Sequence, residues 1–138
     1  MRIERQQSTA KTLARQLSAH SCVTKVYYAG LPDHPDYFVQ SQQSRGSGSV
    51  FSFTTGVVEL SKPIVEATEL FTHCVSFGSL SSFKSLPAAM SHSSLPKEGA
   101  RLPADLVRIL AGIEDSQELM NDLNKAFNFA VREHKAVA

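Results

Sequence analysis

Arg108 is the residue in this chain best suited to chemistry. It lies in the run Asp105-Leu106-Val107-Arg108-Ile109-Leu110-Ala111-Gly112-Ile113-Glu114-Asp115. Read at the period of two that a strand requires, Val107, Ile109, Ala111 and Ile113 share an apolar face. Leu106, Arg108, Leu110 and Gly112 share the other. A guanidinium cannot surrender its charge, so an arginine between two leucines is costly unless water or an anion meets it. Its planar fork also matches a carboxylate through two parallel hydrogen bonds. From the strand alone two readings stay open: a solvated surface charge, or a grip for an anion.

The other reactive residue types form no complete constellation. His20, His34, His73, His92 and His134 show no metal-ligand spacing. His34 sits between Asp33 and Pro35, where a loop-stabilising role is expected. Ser76 has no local base, and its surroundings lack the strand-turn-helix pattern of a nucleophile elbow. Lys25, Lys62 and Lys84 read as ordinary members of amphipathic segments. The glycines of Ser44-Arg45-Gly46-Ser47-Gly48-Ser49 are spaced too loosely for a phosphate-binding loop. Cys22 and Cys74 are far apart and are expected to be free thiols in a reducing compartment.

The elements that must position these residues follow from patterning. Residues from about 2 to 20 read as an amphipathic helix with Ile3, Ala10, Leu13, Ala14 and Leu17 sharing its apolar face. Because nothing before Met1 caps it, the chain is expected to have been cut from something longer. Val23 to Tyr28 reads as a strand, broken by Ala29-Gly30-Leu31-Pro32-Asp33-His34-Pro35. A short helix over 36–44 would be capped by Asp33 or Asp36. Val50 to Thr54 alternates as a strand half-buried by Phe51 and Phe53. Ser61 is expected to cap a third helix, with Pro63 in its first turn and Ile64, Ala67, Thr68 and Phe71 inside. His73 to Ser76 and Leu80 to Pro87 read as short extended pieces. Asp115 and Glu118 open a last helix whose core side is Leu119, Leu123, Ala126, Phe127 and Ala130. The tail after Arg132 is expected to fray. These elements predict an α+β fold: a small, mainly antiparallel sheet with helices covering one face.

The 138 residues suit one domain, 1–138. A hydrophobic share of 42%, a charged share of 20% and a net charge of +1 are ordinary for a globular protein. They give no basic field for nucleic acid and no polybasic run for a membrane surface. No apolar run approaches the ~20 residues of a membrane-spanning helix. The start Met1-Arg2-Ile3-Glu4-Arg5 lacks the apolar core of a signal peptide.

Four stretches carry a family resemblance. Val26-Tyr27-Tyr28-Ala29-Gly30-Leu31-Pro32-Asp33-His34-Pro35 resembles the YPGLPxHP segment of the Cys/Met-metabolism enzymes that use pyridoxal phosphate (PLP). Gly48-Ser49-Val50-Phe51-Ser52-Phe53 resembles their GGmlSFel strand. Val75-Ser76-Phe77-Gly78-Ser79 and Leu86-Pro87-Ala88-Ala89-Met90-Ser91-His92 resemble the SLGG…hPasMTH stretch, and Leu106 to Asp115 resembles LVRLSVGIED. The four occur in the family's order and span almost the whole chain. In detail they are most similar to the plant-type cystathionine β-lyases, with methionine γ-lyases and other branches close. One departure is Lys97 to Pro103, shorter than the family's linker and without its Gly-Ile pair.

The resemblance implies the C-terminal domain of a fold-type I PLP-dependent enzyme, without the large domain that carries the cofactor-linked lysine. It implies that PLP is the parent's cofactor and is not expected on this piece, which alone would be inactive. Arg108 would grip the substrate α-carboxylate. Ser76 would lie near that carboxylate, Ser91 would take the place of the family's Met-Thr-His threonine, and Val75 would shape the side-chain pocket. The implied reaction is β-elimination of cystathionine, in methionine biosynthesis, to homocysteine, pyruvate and ammonia. Cystathionine γ-lyase, γ-synthase or methionine γ-lyase activity is the alternative within the family; a non-catalytic α+β binding or assembly module is the alternative outside it. The implied partners are a sulfur amino acid, the large domain of the same chain and, in the parent, three further subunits of a homotetramer. The location would be intracellular, cytoplasmic or plastid.

Overall fold

The computed structural model describes residues 1–74, 79–90 (the last two by backbone only) and 102–137. Its elements in order are α1 (Arg2–Ser18), β1 (Lys25–Tyr27), α2 (Tyr37–Gln43), β2 (Val50–Thr54), α3 (Val58–Ala67), β3 (Thr72–His73), β4 (Phe83–Ser85), α4 (Pro87–Met90), β5 (Val107–Leu110) and α5 (Ser116–Val137). The strands form one sheet in the order β1-β2-β5-β4-β3. All neighbours are antiparallel except β3 and β4. This is the expected α+β arrangement.

Alternation along the strands decides which face is buried. Phe51 and Phe53 of β2, with Val107 and Ile109 of β5, pack against α1, α3 and α5 through Leu13, Leu17, Ile64, Leu119, Leu123 and Phe127. Full burial of side chains this size stabilises by roughly 1.5–3 kcal/mol each, before the entropy of ordering them is counted. The Phe53 and Phe127 rings lie 5.9 Å apart, joining β2 to the last helix. Among the described residues, no helix is long and apolar enough to cross a membrane.

Several local expectations differ from what the chain does. Ile3, which spacing places on the apolar face of α1, is 52% exposed, because the buried part of that helix starts only at Gln6. Helix α3 starts at Val58, behind an extended Val57, so Ser61 lies inside the helix and not at its cap. Ser61 is wholly buried. Its hydroxyl pairs with that of Thr55 and donates to the Asp105 carbonyl oxygen. The same small hydroxyl that suits a cap serves here as a tertiary tie between α3 and the entry to β5. Pro63 is consequently the sixth helical residue, beyond the first turn. Asp36 takes the N-cap position of α2 but makes no side-chain capping bond. The loop before it is closed instead by His34, whose Nδ1 accepts the Asp36 amide at 3.1 Å.

The last helix does not fray after Arg132; it runs to Val137. Glu133, His134 and Val137 line a cleft of about 490 Å3 with Val58, Glu59, Lys62 and Pro63, so the end of α5 lies along the start of α3. The other end follows the sequence: Asp115 Oδ1 accepts the amides of Gln117 and Glu118 at 2.8 and 3.1 Å.

Candidate functional site

The strand that bears Arg108 is shorter than its alternation suggests. Regular pairing covers Val107 to Leu110, and Ala111 still donates its amide to Ser49. The chain then turns, Ile113 donates to the Leu80 carbonyl, and the Ile113 side chain is 40% exposed. Ile113 is therefore not part of the buried face. The other face is drier than a solvated surface: Leu106 and Leu110 are 7% and 4% exposed, and Arg108 between them is half-buried.

Register places Arg108 in a row of polar side chains across the sheet. Tyr27 opposes Ser52, Ser52 opposes Arg108, and Arg108 opposes Ser85. Directly opposed residues in antiparallel strands point to the same face. Tyr27, Ser52, Arg108 and Ser85 therefore share the face away from the helical layer. Arg108 Nε donates to Ser85 Oγ at 3.3 Å. Burial lowers the Arg108 pKa from its ordinary value. Guanidinium still remains protonated, so partial burial strengthens its attraction for an anion.

Two polar clusters fix the strands around it. At one end of β4, Ser82 Oγ donates to Glu114 Oε2 at 2.9 Å and accepts the Gly112 amide at 2.8 Å; Glu114 Oε1 takes the Ser82 amide. A Cβ at position 112 would collide with the Glu114 carboxylate and the Leu80 carbonyl oxygen, so the turn out of β5 needs a glycine. At the entry to β5, Asp105 Oδ2 accepts the amides of Thr55 and Gly56 at 3.0 and 2.7 Å.

On the helix-covered face, Lys84 is not the ordinary amphipathic lysine expected from sequence. It is buried, and its Nζ donates to the Thr68 carbonyl oxygen and hydroxyl, each at 2.6 Å. Burial lowers its pKa, and the nearby Asp122 carboxylate opposes that shift. Asp122 is buried too, and accepts the amides of Glu69 and Leu70. A three-residue strand is too short for alternation to reveal which way Lys84 points. Nor does the sequence mark Ser85; only the register of β4 against β5 brings it to Arg108.

The Ser/Gly loop ahead of β2 behaves as a structural turn. Gly48 adopts φ +75°, a region that favours glycine, donates its amide to Gln7 and accepts the Tyr28 hydroxyl on its carbonyl. Val75, Ser76 and Ser91 lie outside the described residues, as does most of the 97–103 stretch.

Residues 1–128 match the family model described as "Cys/Met metabolism PLP-dependent enzyme". This chain belongs to that family.

Within the Cys/Met-metabolism family, the chloroplastic cystathionine β-lyase of Arabidopsis thaliana is 54% identical over 130 residues, covering 92% of this chain and 28% of the relative. The cystathionine γ-lyase of Sus scrofa is 35% identical over 134 residues, covering 94% of this chain and 33% of the relative. The solved cystathionine γ-synthase of Xanthomonas oryzae pv. oryzae, in complex with aminoacrylate and cysteine, superposes with a TM-score of 0.89 at 29% identity. It is covered over 35% of its length by 96% of this chain. The chain thus spans about a third or less of these relatives.

Membership makes PLP the family's cofactor, so the described residues can be tested against it. Lys84 is the buried lysine among them, and its ammonium is bonded to Thr68 on the face opposite Arg108. It is not placed to carry a cofactor next to the arginine. The described residues do not make an anchorage for PLP; on the Arg108 face they present a half-buried guanidinium in a polar row.

Proposed function

We propose that residues 1–138 are the C-terminal, substrate-facing domain of a PLP-dependent cystathionine β-lyase whose large domain carries the cofactor. Arg108 carries the reading. It is a half-buried arginine flanked by buried leucines, in a polar row on the sheet face away from the Phe51–Phe53 core. In that role Arg108 binds the α-carboxylate of a sulfur amino acid and fixes the substrate's orientation. By resemblance, Ser76 lies near the same carboxylate, Ser91 assists it, and Val75 shapes the pocket for the rest of the substrate. The C–S bond cleavage belongs to the assembled enzyme, where PLP, when bound, supplies the electron sink. A β-lyase reading is favoured by the 54% identity to the Arabidopsis enzyme. The chloroplastic description of that relative supports a plastid location, and we take the parent to be a homotetramer.

The decisive experiment uses the complete enzyme. Arg108→Ala raises KM for cystathionine by about ten- to a hundred-fold, the range for losing charge-assisted hydrogen bonds, with a smaller loss in kcat. An unchanged KM sinks the carboxylate assignment. Pyruvate as the keto-acid product supports β-elimination, whereas 2-oxobutyrate identifies the γ-lyase alternative. The chain expressed alone gives no PLP absorbance band and no turnover; either signal would contradict a separate cofactor domain.

A further inference from the structure

We infer that Ser85 is a positioning residue for Arg108, aiming the guanidinium plane at the substrate carboxylate; this rests on the carboxylate role proposed above. The geometry carries it in three steps. Ser85 opposes Arg108 across the β4–β5 pair and is 1% exposed, so its hydroxyl does not drift into solvent. Its Oγ accepts from Arg108 Nε, the one guanidinium nitrogen whose N–H direction is tied to the side-chain stem. A bond there sets the rotation of the fork about its last carbon–nitrogen axis.

The strand that presents Ser85 is itself held at two points. Lys84, the preceding residue, is bonded to Thr68 on the opposite face. Ser82 is bonded to Glu114 and Gly112 beyond the end of β5. A slip of one residue would turn Ser85 to the helical side and bring Lys84 or Leu86 to Arg108. These ties exclude that slip. Ser52, the other cross-strand neighbour of Arg108, lies on the opposite flank, so the arginine stem is confined between two small side chains.

The test is a double-mutant cycle in the complete enzyme, read as KM and kcat for the amino-acid substrate. Ser85→Ala is expected to raise KM by about three- to ten-fold, the value of one lost hydrogen bond, with a smaller change in kcat. In an Arg108→Ala background the same substitution changes KM by less than about two-fold, because a residue acting only through Arg108 has nothing left to position. Equal effects of Ser85→Ala in both backgrounds overturn the inference, as does an unchanged KM in Ser85→Ala alone while Arg108→Ala raises it. An Arg108→Ala enzyme with unaltered KM overturns the carboxylate role and this inference together, and so is distinguished from failure of Ser85 alone.

Discussion

The Lys84 ammonium reaches Thr68 from inside the helical layer, bonding both its carbonyl oxygen and its hydroxyl at 2.6 Å. The tie joins β4 to the end of α3, and Asp122 on α5 stands close enough to favour the charged amine. Charge buried in this way weighs against folding unless its bonds are complete.

Lys84→Ala removes the donor and leaves the Thr68 carbonyl to find another partner. Equilibrium urea unfolding should show a loss of about 2–3 kcal/mol. The pH dependence carries a definite sign. Because the folded pKa lies below the ordinary 10.5, the unfolded chain binds the extra proton between the two values. The penalty for burying the charge is therefore present below the folded pKa and disappears as pH rises toward 10.5. The wild-type chain should gain stability over that window relative to Lys84→Met, which has nothing to titrate there. A constant difference between the two proteins would contradict the assignment.

His20 gives an acid-side counterpart. It stacks on Phe127 with centroids 4.2 Å apart, and its Nδ1 accepts the Cys22 amide at 3.1 Å. Burial lowers its pKa from 6.5. The unfolded state thus takes up the proton first as pH falls through 6.5. Stability should decline from there until the folded imidazole also protonates, and level off below. His20→Phe keeps an aromatic ring against Phe127 without a titrating group. Its stability should stay level, relative to other titrations, where the wild type declines. Thermal unfolding across this pH range reads the difference.

Gly112→Ala should destabilise by about 2 kcal/mol or more, within the range for overpacked sites. The Glu114 carboxylate can move aside from the new methyl group, but the Leu80 carbonyl belongs to the backbone. Adding Glu114→Ala should for that reason fail to restore the loss. Full recovery in the double variant, measured by urea unfolding, would show that the side chain alone makes the site tight.

The large elements were legible because their signals are long or repeated. Helix α1, strand β2 with Phe51 and Phe53 inward, and helix α5 behind Asp115 all lie where periodicity puts them. The fold class followed from their order, and the family from four motifs spread along the chain. What stayed hidden was decided by partners distant in sequence. Ser61 carries the chemistry of a cap, yet its hydroxyl is used by Thr55 and Asp105. Alternation put Ile113 on the buried face, but the turn at Gly112 ends the strand first. The end of α5 persists because it lies beside α3, which local composition does not reveal. Arg108 was visible as a charge between leucines; that its Nε meets Ser85 is visible only once β4 has a register.

The Ser82–Glu114–Gly112 tie has a consequence for anyone exchanging pieces between relatives. Glu114 and Gly112 follow β5, and Ser82 precedes β4, thirty or more positions earlier in the chain. A graft that imports the arginine strand without the serine strand would bring half of a lock. The two segments form a single transplantable cassette, although a gene would have to carry them as separate inserts.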